Sequence, residues 1–291
     1  MGQYSIKDVE TLSGLKAHTL RIWEQRYGFL KPERTDTNIR YYTDEQLKLI
    51  IKVASLNRNG MKISKIATLK KDELSNMVLK IHEEAFLPND LLDALILAML
   101  DFDEKRFEKT LSTAILKLGF EKSFVELIFP FLMRTGVMWL TGSVRVVQEH
   151  FISNLIRRKI CVAIDSVFGE KNENPKKFIL FLPEGETHEL LLLFTEYILR
   201  KYNHEVVYLG SSLPFNELEY INQAFNPDFL VTYQTVSNGQ ITFEEYLEKL
   251  CAAFPHCKII AGGAQVAAGD IKIPLNCKPV TSIESLLAAI G

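Results

Sequence analysis

Glu186 and His188 stand two residues apart, directly after the apolar run FILFLP (residues 178–183) and directly before the apolar stretch LLLLF (residues 190–194). An imidazole nitrogen can ligate a transition metal, and a nearby carboxylate can hold the other ring nitrogen and so fix the tautomer. The same pair has an ordinary use: Glu186 favours the dipole of a following helix, and His188 sits half exposed at that helix's start. What decides is the element that positions them. If FILFLP is the first strand of a parallel sheet, His188 lies just past its carboxyl end, in the crevice where open α/β sheets bind ligands.

The surrounding pattern supports such a sheet. After the polar, proline-containing stretch EKNENPKK (170–177), the runs KFILFLP, HEVVYLG, DFLVTYQ and KIIAGG are short and apolar, separated by about 15–22 residues of helical pattern. Strands alternating with helices predict a flavodoxin-like parallel sheet flanked by helices over 176–291. Residues 75–169 instead carry apolar positions at helical spacing, with breaks near Asn89, Gly119 and Gly142, which predicts a central four-helix bundle. Residues 1–72 read as short helices stopped by Gly14, Gly28 and Gly60, with a Thr43–Gln46 capping box opening the helix after the Tyr41–Tyr42 pair. The fold class expected is a multidomain α and α/β chain.

Bulk properties narrow the function. A chain of 291 residues with 47% apolar content can bury at least one full core, and its length suggests about two domains of ordinary size. Cysteines 161, 251, 257 and 277 form no CxxC pair, so they read as core residues rather than a zinc site or a disulfide framework. No uncharged apolar run of about 18 residues is present and the start lacks a signal-peptide core, so a cytoplasmic protein with no membrane partner is expected. Charge is divided unevenly: residues 1–71 hold 14 Lys and Arg against 7 Asp and Glu, leaving −9 of the total −2 for the rest. One end suits a polyanion and the remainder repels it.

In that basic end, two short helices meet at SGLKAH, and the second carries Lys16, His18, Thr19, Arg21 and Arg26 on or near one side. Such a helix fits the major groove, where Arg reads guanine and other cations hold phosphates. The stretch RTDTNIRYY then reads as a β-hairpin wing placing Arg34, Arg40 and Tyr41 against the DNA backbone. From Tyr4 through Ser64 the segments TLRIWEQRYG, LKPxR and NIRYY follow in order, and this region resembles the winged-helix domain of the MerR family of bacterial transcription regulators. The resemblance implies binding to double-stranded promoter DNA, with Arg21, Arg26, Tyr27, Arg34, Arg40 and Tyr41 as contacts. It also implies Trp23 as core beneath the wing and Glu24 paired with an arginine. Many MerR-like proteins dimerise through one long helix; here only a shorter one precedes Pro88, so contacts between copies are expected elsewhere.

The bundle followed by the sheet is similar to the cobalamin-binding module of methionine synthase and of the light-responsive CarH/LitR-type repressors. In that family an acid-x-His-x-x-Gly motif supplies the lower axial ligand of cobalt. The resemblance therefore implies a cobalamin cofactor, adenosylcobalamin in the photosensing members, with His188 on cobalt and Glu186 holding its other nitrogen. Trp139 is followed ten residues later by Glu149 and His150, the arrangement that covers the upper face of the cofactor in the photosensing repressors. Leu140 offers no nitrogen to cobalt. Two positions depart from the motif. Leu191 stands where a glycine lies close to the nucleotide tail, and Tyr233-Gln-Thr235 stands where the family has Ser-x-Leu against the buried base. Gly262 and Gly263 match the pair that flanks the same tail. The expectation is a non-enzymatic, homo-oligomeric DNA-binding regulator whose ligand, bound between bundle and sheet, changes assembly and hence DNA binding. The alternative keeps the DNA-binding head and gives a degenerate cobalamin domain a protein partner, an antirepressor, or a different ligand.

Overall fold

The computed structural model describes residues 2–84, 88–140, 144–168, 171–236 and 241–290, without the side chains of residues 83, 84, 137–140, 219, 222 and 223. The chain divides into two compact units, residues 1–155 and 156–291.

The first unit opens with β1 (Gln3–Tyr4), α1 (Ile6–Ser13), α2 (Ala17–Tyr27), β2 (Glu33–Arg34), β3 (Arg40–Thr43) and α3 (Asp44–Arg58). Each boundary has a local cause. Ser5 and Asp8 form a capping box at the start of α1, and Thr43 and Gln46 form the one expected at the start of α3, each satisfying two otherwise orphaned amides. Gly14 and Gly28 close α1 and α2 at φ 69° and 67°, a left-handed conformation that side-chain-bearing residues avoid. Strands β2 and β3 pair antiparallel, Glu33 with Tyr41 and Arg34 with Arg40, so RTDTNIRYY is the predicted hairpin; β1 adds a third strand on the other side of β3. Buried Leu12, Leu20, Trp23, Tyr42, Leu47 and Ile51 close this head.

Then come α4 (Ile63–Ile66), α5 (Lys71–Glu84), α6 (Pro88–Asp101), α7 (Glu104–Leu118), α8 (Phe120–Ser123), a π-helical turn over Phe124–Ile128, α9 (Phe129–Leu140) and α10 (Val146–Ser166). Helix α6 buries every residue from Asp90 to Leu100, so it runs through the middle of its neighbours. The π turn has a cause one residue later. Pro130 has no N–H, and its ring crowds the carbonyl four residues back. The Phe129 amide reaches instead to the Phe124 carbonyl, five residues back, and the widened turn lets the helix continue through the proline. Two buried carboxylates of α6, Asp90 and Asp93, face Arg58 at the end of α3.

The second unit is β4 (Lys177–Pro183), α11 (Leu190–Lys201), β5 (Glu205–Leu213), α12 (Glu217–Phe225), β6 (Phe229–Gln234), α13 (Phe243–Ala253), β7 (Lys258–Gly263), α14 (Ala264–Ala268), β8 (Cys277–Val280) and α15 (Ile283–Ile290). Its five strands are parallel in the order β5-β4-β6-β7-β8. This is the flavodoxin-like order, and its direction reverses between β4 and β6, the switch point at which such sheets hold ligands. Strand β8 was absent from the expected set. It is four residues long, contains Pro279 and forms an edge, where a missing N–H costs no ladder bond.

Candidate functional site

Helix α2 of the head buries Leu20 and Trp23 and turns His18, Arg21, Ile22, Gln25 and Arg26 to solvent. His18, Arg21, Ile22 and Gln25 follow one another at helical spacing and make a single outward row. Ile22 and Gln25, which the sequence reading did not name, share this exposed row. Lys16 is exposed and bonds Glu10 at 3.0 Å, and the Thr19 hydroxyl lies 3.4 Å from the His18 ring. Arg26 stacks over Tyr27 at 5.7 Å. On the wing, Arg34 donates to Asn38 at 2.6 Å and the Tyr41 hydroxyl donates to Glu33 at 2.6 Å. Glu24 ties helix to wing: it accepts from Tyr42 at 2.5 Å and lies 3.4 Å from Arg40. The arginine paired with Glu24 is thus Arg40, half exposed, whose charge also orients the wing. Burial, then the Glu24 carboxylate, raises the Tyr42 phenol well above its ordinary range.

In the sheet unit, Glu186 follows β4 with only 2% exposure. One carboxylate oxygen accepts from the amides of Thr187 and His188, each at 2.8 Å, and from His188 Nδ1 at 2.6 Å. The other accepts from the amides of Thr235 and Val236, just after β6, at 2.6 and 3.0 Å. Burial by itself would raise this carboxyl, but the His188 ring and the His188, Val236 and Thr235 amides outweigh it and hold it at about 2. Strand β5 contributes too: Ser212 N–H donates to the Glu186 carbonyl at 3.0 Å, and Gly185 N–H donates to the Ser212 hydroxyl at 3.0 Å. The loop before His188 is therefore fastened to both neighbours of β4. Because a carboxylate only accepts, His188 Nδ1 donates, and in the neutral ring Nε2 carries the lone pair. The ring is 38% exposed. This is the donor geometry of a metal-ligating histidine with its supporting acid.

Glu189, next in the chain, is tied down as firmly. Arg157 of α10 meets it at 2.7 Å and the Tyr208 hydroxyl of β5 donates to it at 2.8 Å. No local pattern announces either partner. Thr235 contributes its backbone amide to Glu186, while its side chain is exposed. Tyr233, 2% exposed, reaches from β6 to α11, where its hydroxyl lies 3.0 Å from that of Thr195. Gly262 lies under the Tyr233 ring, and a Cβ there would come within 2.8 Å of it; at Gly263, with φ 117°, a Cβ would collide with the Gln234 backbone. Both glycines are thus required by their β6 neighbours. Glu149 and His150 sit on α10 in the first unit, paired at 2.8 Å with the histidine well exposed. Trp139 and Leu140 fall in the last turn of α9, and their side chains lie outside the described residues. Among the described residues no group of three or more His, Cys, Asp or Glu could hold a metal ion.

Two stretches of the chain match known family models. Residues 4–73 match the family model for the MerR HTH family regulatory protein, and residues 91–163 match the one for a B12 binding domain. The second match falls on α6 to α10. The HTH-type transcriptional repressor CarH of Myxococcus xanthus is 27% identical over 273 residues, covering 90% of this chain and 89% of that protein. The repressor CarA of the same organism is 27% identical over 263 residues, covering 89% and 85%. A solved monomethylamine corrinoid protein of Methanosarcina barkeri superposes with a TM-score of 0.54 at 13% identity, over 70% of this chain and 99% of that one, which shows a shared fold. The chain therefore carries a MerR-type helix-turn-helix domain and a B12 binding domain, and it is homologous to the CarH and CarA transcriptional repressors over most of its length.

Proposed function

We propose that this chain is a non-enzymatic transcription regulator that binds promoter DNA through α2 and the wing and takes a corrinoid at His188. One observation supports the ligand role most directly: a buried carboxylate at the sheet's switch point accepts His188 Nδ1 at 2.6 Å and fixes the ring with Nε2 as its lone-pair nitrogen. The donor chemistry fits cobalt. A bound corrinoid would supply a coloured cobalt centre, which His188 would hold. On the protein side, His188 offers the ligand, Glu186 keeps the proton on Nδ1, and the β5 and β6 contacts hold the loop. Trp139, Glu149 and His150 take the upper-face roles that the resemblance implies. Ligand binding would favour one homo-oligomeric assembly over another and so reset the spacing of the DNA-reading heads, since an effector acts only through a difference in affinity between states.

The test is pigment retention. Protein is mixed in the dark with adenosylcobalamin, or with adenosylcobinamide, the same corrinoid lacking its nucleotide, and passed through a desalting column. Wild-type protein is expected to stay coloured with at least one of the two corrinoids. His188→Ala should lower affinity at least ~10-fold, because loss of even a supporting carboxylate costs about 10–100-fold at metal sites. Equal retention by both proteins, or none by the wild type, rejects the cobalt role.

On the DNA side, Arg21→Ala is expected to weaken promoter binding by about 1–3 kcal/mol if Arg21 reads a base. Titrations at several salt concentrations separate the two kinds of contact. A lost base contact changes the ratio of specific to non-specific affinity, whereas a lost phosphate contact lowers both and flattens the salt slope by about 0.9.

A further inference from the structure

The crevice that presents His188 and the layer beneath it give opposite answers about a corrinoid. At the surface the ligand geometry is in place. Beneath it, between the sheet and α11, a row of side chains fills the space that the resemblance assigns to the nucleotide tail. Tyr233 starts the row: its ring lies over Gly262 of β7, so close that a Cβ on that glycine would meet ring carbons at 2.8 and 2.9 Å. Its hydroxyl, 3.0 Å from Thr195 Oγ1, ends the reach across to α11. Thr195 spends its own proton on the Leu191 carbonyl at 2.8 Å, so Tyr233 is the donor and Thr195 the acceptor. Leu191, in the place of the motif's glycine, begins the same helix turn. Two of the three positions that the resemblance assigns to the tail, Tyr233 and Gly262, thus lie against each other, and the third, half-buried Leu191, is joined to Thr195 through its backbone carbonyl.

These contacts are mutually dependent. Tyr233 is 2% exposed and Thr195 0% exposed, so neither hydroxyl can turn to water if the other is displaced. A buried aromatic base entering this layer would have to expel a buried phenol and break its hydrogen bond to Thr195. Packed interiors resist such insertion, because side chains there already fill the volume. The phenol is itself a flat aromatic ring with one polar end, and it supplies the packing that an inserted base would otherwise supply.

Resting on the corrinoid reading given above, we propose that the site is selective for corrinoids that place no nucleotide base in the protein interior, with Tyr233 and Leu191 as the residues that set this specificity. The ligand class is then a tail-less corrinoid of cobinamide type, held at cobalt by His188 and through its ring substituents at the surface. Tyr233 acts as a permanent occupant of the tail layer, which also explains why Gly262 must be glycine although no tail passes it.

The experiment compares adenosylcobinamide with adenosylcobalamin by absorbance titration in the dark, using the full chain, and repeats both titrations on L191G/Y233S. Wild-type protein is expected to bind cobinamide at least ~30-fold more tightly than cobalamin, a difference of about 2 kcal/mol. The double variant, checked for folding by circular dichroism, should gain cobalamin affinity and narrow that ratio. Wild-type protein that binds cobalamin as tightly as cobinamide overturns the specificity and leaves the cobalt role of His188 standing. Wild-type protein that binds neither corrinoid overturns both and favours a protein partner for the sheet unit. The wild-type comparison needs no variant to fold.

Discussion

Replacing Glu186 with glutamine is expected to destabilise the sheet unit by about 3 kcal/mol near neutral pH, because the carboxyl sits at about 2 instead of 4.5. The reason is the number of donors it serves. Four backbone amides and one ring nitrogen converge on two oxygens, and an amide side chain has one acceptor end and one donor end. Whichever way Gln turns, either the Thr187 and His188 amides or the Thr235 and Val236 amides face another N–H. A buried donor left without an acceptor costs about 1–3 kcal/mol. Amide hydrogen exchange gives the most local measurement: protection at Thr235 and Val236 should fall sharply in Glu186→Gln. The pH dependence has a definite sign. A depressed carboxyl pKa stabilises above about 4.5 and loses that contribution as pH falls through about 2. Wild type and variant should therefore differ most above pH 5 and converge towards pH 2. A constant difference across that range would show that the charge is not what the amides require.

The second large effect is expected at Arg58. Asp90 and Asp93 are 2% and 0% exposed, and Arg58 is the cation that meets both, at 3.8 Å from Asp90 and in direct contact with Asp93. Asn59 helps by donating to Asp90 at 3.1 Å. Arg58→Ala removes the cation from two buried acids, which costs about 3–5 kcal/mol in comparable sites once both are ionised. Burial raises the Asp93 carboxyl to about 7, against the pull of Arg58. Its second oxygen is buried without a hydrogen-bond partner among the described residues, which adds to the cost of charging it. A raised carboxyl pKa contributes stability at low pH and loses it as pH rises from about 4 through about 7. Wild-type protein should thus be less stable at pH 8 than at pH 5.5 in the unit that contains residues 1–155, and Arg58→Ala should hurt more at pH 8. Both tryptophans, Trp23 and Trp139, lie in that unit, so fluorescence-monitored urea unfolding reports it selectively. Asp93→Asn, which cannot ionise, should flatten the dependence; an unchanged slope in that variant would assign the titration to another group.

What the sequence made legible follows from the range of the interactions. Helix starts and stops were readable because Ser5, Thr43, Gly14 and Gly28 act within four residues of themselves. The sheet order was foreseeable because apolar strands alternating with helices admit few topologies. The acid and histidine of the crevice were visible as neighbours. Their support was not: the Glu186 partners lie 49 and 50 residues further on, and Tyr233 meets Thr195 across 38 residues. Tyr233 shows the difference most clearly. As a letter it stood in the place of a serine and left open whether its hydroxyl replaced that serine's. In three dimensions the hydroxyl is already committed to Thr195, and the ring is the part that matters. Arg40 was foreseen only as a DNA contact, yet Glu24 claims it in the folded head. The β8 edge strand escaped notice because four residues with a proline carry too little pattern.

The π turn ahead of Pro130 has a consequence for the azimuth of the helix that follows. One residue more in a turn changes the phase of everything downstream by about 100° relative to an unbroken α-helix. The face presented by residues 129 to 136 is therefore set by a backbone defect at Phe124–Ile128 and not by the amphipathic pattern begun at Gly119. Counting along the chain from that glycine by heptads names the wrong side of the helix; counting from Phe129 names the right one.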